Sequence, residues 1–176
     1  MSLSVDKFKS KLTGGGARAN LFRVTLNFPA FVNVDRELAS FMVKASKFPS
    51  SQLGEVSVPF RGRVVPLAGD RTFEDWEVTV YNDTGFEIRN AFERWSNEIN
   101  KHAANTGLTS PDAYCADMLV EQLTKDEKIV KTYKFKAAWP LTISEIELSS
   151  DSTEAIEEFT VTFKYLYWTS DTTDTF

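Results

Sequence analysis

The sequence predicts a mainly β (α+β) fold: an antiparallel β-sandwich or open barrel of about eight strands with one central α-helix. Three observations predict it. Runs of period-two alternation recur from Leu21 to Trp168 and are punctuated by proline, glycine and Asn/Asp turns. Only one stretch, Thr84 to Lys101, carries a long apolar stripe at helical spacing. The chain also holds 14 Phe, 4 Trp and 5 Tyr among 176 residues, and aromatic side chains favour strands and packed contact surfaces.

The elements follow in order. Ser2 to Lys11 reads as a short helix with Val5, Phe8 and Leu12 on one side. Gly14-Gly15-Gly16 breaks it, either as a hinge that lets the N-terminal segment reorient or as a plain loop. In the strand Leu21–Phe28, Phe22, Val24, Leu26 and Phe28 alternate with Arg23, Thr25 and Asn27, and Pro29 ends it. Phe41–Phe48 reads as a second strand stopped by Pro49. Gln52–Leu67 reads as one long strand or a hairpin. Val56, Val58, Phe60 and Val64 are expected on one face, with Ser57, Arg61 and Arg63 on the other. Pro59 within it suggests an edge or a bulge.

Thr72–Tyr81 is the strongest strand, with Trp76, Val78 and Val80 alternating against Glu77, Thr79 and Tyr81. Thr84 and Glu87 have capping-box spacing, and Ile88, Phe92, Trp95 and Ile99 form the apolar stripe of the helix that follows. Three further strands are expected at Tyr114–Leu123, Ile129–Trp139 (broken by Pro140) and Leu141–Leu148. A long last strand, Ile156–Trp168, follows. The chain reads as a single domain over 1–176, with a flexible N-terminal segment 1–19 and a loose polar tail 169–176.

Composition excludes several classes. No stretch approaches the roughly 18 apolar residues of a membrane span, and the N-terminus lacks a signal-like apolar run. The single Cys115 cannot close an intramolecular disulfide, so a reducing compartment is the default, and within a predicted strand it reads as a small core residue. The net charge of −5 argues against a general nucleic-acid footprint. His102, the one histidine, sits at a predicted helix end with no triad around it and reads as a solvated cation there. No zinc spacing and no phosphate-binding glycine pattern is present. Asp70, Glu74 and Asp75 could hold a divalent cation. Their simpler reading is a turn stabilised by local hydrogen bonds and an Arg71–carboxylate pair. No catalytic, metal or cofactor site is expected.

The segment Ala68-Gly69-Asp70-Arg71-Thr72-Phe73-Glu74-Asp75-Trp76, continuing to Asn82-Asp83, resembles a hallmark of the tail tube proteins of contractile-tailed (myovirus-type) bacteriophages. In that family the motif leads into a strand, then Asn-Asp, then a helix with a tryptophan near its end, matched here by Trp95. Ala19 to Val24, Lys44 to Pro49, Trp139-Pro140 and Tyr167-Trp168 resemble flanking strands in the same order. Phe31 to Leu38 looks like an insertion, and the tail beyond Trp168 is longer than the pattern. The motif residues carried over are Gly69, Asp70, Arg71, Phe73, Asp75 and Trp76.

The resemblance implies a phage tail tube fold and a structural virion protein. Its subunits form hexameric rings, each contributing strands to an inner barrel, and the rings stack into a hollow tube that conducts DNA. It implies as partners further copies of the chain, the tail sheath protein, a baseplate or tube initiator, a tape-measure protein and a tail terminator. Duplex DNA passes through the lumen without specific binding, no membrane is involved, and subunits reside in the host cytoplasm during assembly and in the virion afterwards. Alternatives are a tube-initiator or baseplate protein, the tube of a phage-derived injection particle, and a monomeric ligand-binding sandwich. Candidate inter-ring contacts are Val56, Val58, Phe60, Arg61 and Arg63 against Glu157 and Glu158. Ser2–Gly16 and Ser50–Leu67 are expected to be mobile in the free subunit and to order in the tube.

Overall fold

The computed structural model describes residues 4–151 and 153–173. Its strands among these residues are β1 (Phe22–Thr25), β2 (Val43–Ser46), β3 (Gln52–Phe60), β4 (Arg63–Thr72), β5 (Trp76–Tyr81), β6 (Ala116–Leu123), β7 (Ile129–Ile143), β8 (Glu158–Lys164) and β9 (Tyr167–Ser170). The helices are α1 (Val5–Lys11), α2 (Arg36–Phe41), α3 (Glu87–Ile99) and α4 (Pro111–Tyr114). Ser2 and Leu3 of the expected first helix, and residues 174–176 of the expected tail, lie outside the described residues.

One antiparallel sheet runs β1-β6-β7-β8-β5-β2, with β9 also on β7, while β3 and β4 form a separate two-stranded ribbon. The long strand β7 belongs to both halves of the sheet. Its first part pairs with β6 and β9, and its last part with β8. Ala137, in left-handed backbone at φ 53°, lies between the two parts. A bulge there breaks the β6 register, and Asp117 holds it by accepting from the Ala137 amide at 3.2 Å and the Lys136 ammonium at 2.7 Å. The neighbouring chain bends in step: β8 stops at Lys164 and β9 resumes at Tyr167 along the same partner strand.

The bend brings the halves of the sheet over one core. Trp76 of β5 stacks on Phe135 of β7 with ring centroids 4.3 Å apart. Val24, Val78, Val80, Met118, Val161 and Phe163 fill the same interior. Helix α3 closes it with Ile88, Ala91, Phe92 and Trp95 fully buried and Ile99 partly so. Phe92 and Trp95 pack on Phe28, and the Trp95 indole donates to the Tyr114 carbonyl at 2.7 Å. This is the arrangement a buried tryptophan needs: apolar contact along its body and an acceptor for its one donor.

Several elements differ from the sequence reading, each for a local reason. The expected second strand Phe41–Phe48 is shorter, Val43–Ser46: Phe41 is the last residue of α2, a helix capped by Asp35, which accepts from the Glu37 amide at 2.9 Å. Within Phe31–Leu38, Val32 is in the core and Leu38 packs against it. Helix α3 starts at Glu87, three residues after Thr84. Phe86 is left-handed at φ 54°, which removes the capping-box geometry, and the Asp83 carboxylate accepts from the Gly85 and Glu87 amides instead. The helix ends at Ile99, so His102 lies beyond it, beside Asn97.

Pro140 does not break β7. It sits at a register shift against β8, where a missing N–H is tolerated, and the strand continues to Ile143; residues 144–148 are not strand. The single strand expected over Ile156–Trp168 is two. Thr169 and Ser170, expected in the loose tail, are buried in β9. Cys115 is half-buried between α4 and β6, not within a strand. Burial and the nearby Asp112 carboxylate push its thiol pKa up, which disfavours the thiolate.

Candidate functional site: a projecting arm and its root

Strands β3 and β4 form a hairpin closed by Arg61-Gly62, both at positive φ, a two-residue turn whose twist matches the flanking strands. Along it every residue is exposed except Gly69, which is partly covered. The register sets its faces. Val56 lies opposite Leu67, Val58 opposite Val65, and Phe60 opposite Arg63, so these six share one side. Pro59 lies opposite Val64 and Ser57 opposite Pro66 on the other. The sequence reading put Val64 with Val58 and Arg63 on the far side. The two-residue turn reverses that parity after Phe60, since a shift of one residue exchanges the faces. The arm thus presents an apolar strip of Val56, Val58, Phe60, Val65 and Leu67, with Phe60 62% exposed at its tip. The Arg61 guanidinium lies over the Phe60 ring at 5.5 Å.

The motif residues form the root of this arm. Gly69 lies in β4 beside Gly54, and a Cβ there would come within 3.1 Å of the Gly54 backbone. That close approach coincides with a bulge in the ribbon, which sets its bend. Arg71 donates to the Ser51 hydroxyl, not to a carboxylate as the turn reading had it. Glu74 accepts from the Ser50 hydroxyl at 2.9 Å, and Asp75 pairs with Lys164. Phe73 packs on Tyr165, ring centroids 6.0 Å apart. The Trp76 indole donates to the Lys47 carbonyl and that of Trp168 to the Ser50 carbonyl, each at 2.9 Å. The chain entering the arm and the chain leaving it are therefore tied to each other and to the body. Asp70 lies in β4, apart from this lattice. Glu74 and Asp75 act here as hydrogen-bond and ion-pair partners, and among the described residues no group of three potential metal ligands is close together.

The expected acidic partners of the arm lie in the body. Glu158 is ion-paired with Lys44, and Glu157 accepts from the Asn82 side chain at 2.8 Å. Sequence reasoning missed Ser50, Ser51, Lys47, Lys164 and Trp168 as partners of the motif. Lys47, Ser50 and Ser51 cluster just before Gln52, Lys164 ends β8 and Trp168 lies in β9, so only the folded chain brings them to the motif.

A sheet subunit that holds an unpartnered amphipathic ribbon away from its core has the form of a component completed by other chains. The comparisons agree with that class. The family model described as phage tail tube protein matches residues 17–171, and the chain belongs to this family. The tail tube protein of Serratia phage KSP90 is 31% identical over 173 residues, covering 96% of this chain and 97% of the relative. The tail tube protein gp19 of Enterobacteria phage T4 is 32% identical over 157 residues, covering 89% and 93%. The fold matches a solved structure of the anti-feeding prophage tube-terminating cap with a TM-score of 0.66 at 14% identity, over 88% of this chain and 89% of the cap.

Proposed function

We propose that the protein is the tube subunit of a contractile phage tail, a structural virion component without catalytic role. Rings of six stack into the hollow conduit for DNA delivery. The observation that carries this reading is the arm: a rooted ribbon whose apolar strip has no partner in its own subunit, in a member of a tube family. Burying each of its exposed apolar side chains against a neighbour contributes about 1–2 kcal/mol, repeated at every contact of the assembly.

In this reading Val56, Val58 and Phe60 make the inter-ring contact, and Arg61 and Arg63 reach Glu157 or Glu158. Because Glu158 is paired with Lys44 within the subunit, such a contact shares or replaces an existing ion pair. The tube grows from a baseplate initiator, has its length set by a tape-measure protein, is closed by a terminator and surrounded by the sheath. Assembly takes place in the host cytoplasm. The acidic subunit disfavours phosphate retention in the lumen, so DNA slides.

The fold alone is shared with a tube-terminating cap, while the sequence relatives are tail tube proteins. Electron microscopy of the subunit added to preformed baseplates separates these readings. Long tubes are expected. Single rings would assign it to initiation or termination, and unchanged monomers at every concentration would overturn the tube reading.

A further inference from the structure

Helix α1 stands apart from the rest of the molecule. Its Phe8 is 66% exposed, Val5 and Leu12 are also exposed, and it buries no residue. Lys7, Lys9 and Lys11 flank this apolar stripe, and none has an ion-pair partner among the described residues. The joint behind it is Gly14-Gly15-Gly16, all at φ between 72° and 80°, a backbone that side chains rarely adopt. From Leu12 to Leu21 the tether can span about 30 Å.

At the other end of the chain, the connection from β7 to β8 has the opposite character. Between Ser144 and Glu157 it carries Glu145, Glu147, Asp151, Glu154 and Glu157, with no lysine or arginine. Leu148 and Ile156 stand exposed among these acids at 79% and 68%. The connection lines an open cleft of about 810 Å³ with Lys44 and Tyr81 on its far wall. Glu157 is held by Asn82, while Glu145, Glu147, Asp151 and Glu154 have no ion-pair partner among the described residues.

We infer that α1 of one copy docks in this cleft of a second copy, seating Phe8 on Leu148 and Ile156 and setting Lys7, Lys9 and Lys11 against the free carboxylates. The match is in both charge and apolar area. A contact between two different patches of the same chain is head-to-tail: it closes into a ring where its rotation does so and otherwise propagates, and between stacked rings it propagates along the tube. The inference rests on the tube reading for its occasion; α1 is a different element from the β3–β4 arm, and the cleft it enters borders Glu157 and Glu158, which the arm's arginines reach in that reading.

Two experiments test it. In baseplate-primed growth, Lys7→Glu/Lys9→Glu/Lys11→Glu should slow elongation at least tenfold. Combining it with subunits bearing Glu145→Lys/Glu147→Lys/Glu154→Lys should restore growth. Both variants change exposed side chains, and circular dichroism checks that each is folded. Normal growth by the lysine variant beside wild-type tubes overturns this inference and leaves the tube reading standing, whereas failure of wild type to form tubes strikes the tube reading. Second, in a Cys115→Ala background, Lys9→Cys subunits are mixed with Leu148→Cys subunits and oxidised after assembly. A disulfide-linked dimer is expected. No dimer from the mixture, or a link formed only when both cysteines lie in one chain, overturns docking between copies.

Discussion

The Tyr165 hydroxyl is buried at the root of the arm and has no hydrogen-bond partner among the described residues. Burial, reinforced by the Asp75 and Glu74 carboxylates, pushes its pKa up to about 12. A buried unpaired hydroxyl costs about 1–3 kcal/mol, so Tyr165→Phe is expected to hold or raise the melting temperature in calorimetry, while the ring stays against Phe73 and Phe135. Asp117 is the contrasting residue. Burial alone would raise its carboxyl pKa, but Lys136, the Ala137 amide and Lys134 together hold it below the usual carboxylate value. A depressed folded-state pKa means its contribution is complete above about pH 4 and is lost as pH falls through the folded value. Asp117→Asn should therefore cost about 1–2 kcal/mol at neutral pH, with the gap from wild type narrowing in denaturant melts below pH 4. At this scale the motif was legible in the sequence but its partners were not. Ser50 and Trp168 are 118 residues apart, and only the completed sheet brings them together.

Among the elements, α3 is the one the sequence specified most fully, because a stripe from Ile88 to Ile99 spans three turns and leaves one face to bury. Trp95→Ala should cost about 3–5 kcal/mol, read as a lowered denaturant midpoint, since it removes a fully buried ring and leaves the Tyr114 carbonyl without its donor. Short elements were less legible. Helix α2 has six residues, too few for periodicity to separate it from the strand that follows, and its one clear signal is the cap at Asp35. The bend in β7 depends on Ala137 adopting a backbone unusual for alanine, which no local pattern announces; Asp117, distant in sequence, stabilises it. For the arm, alternation gave the strands, but the face of each residue after Phe60 depends on the length of the turn, and a two-residue turn inverts it.

At the scale of the whole molecule, the arm and α1 contribute nothing to the core cluster, which is drawn from the two half-sheets, α3, Ala39 of α2 and the segment 26–32. Hydrogen exchange should therefore find residues 50–67 and 5–16 weakly protected in the free subunit and strongly protected in the tube. Equal strong protection in the free subunit would place both within the monomer's cooperative unit. Val58→Asp should leave the monomer melting temperature within about 1 °C of wild type yet stop ring stacking in the primed assay, since the side chain is exposed in the subunit and would be dry only in the contact. Docking partners of this kind were the least legible feature. A single chain shows which surfaces are unpaired, whereas what covers them depends on the geometry of a second copy.

The separation of the arm from the core has a consequence for divergence. In the proposed tube, substitutions along β3 and β4 would be screened by the neighbouring subunit and hardly at all by folding, while those at Trp76, Phe135 or Trp95 are screened by folding first. The two sets of residues overlap only at the root. Arms can therefore drift together with the surfaces that receive them, so that subunits from separate lineages keep interchangeable bodies while losing the ability to copolymerise.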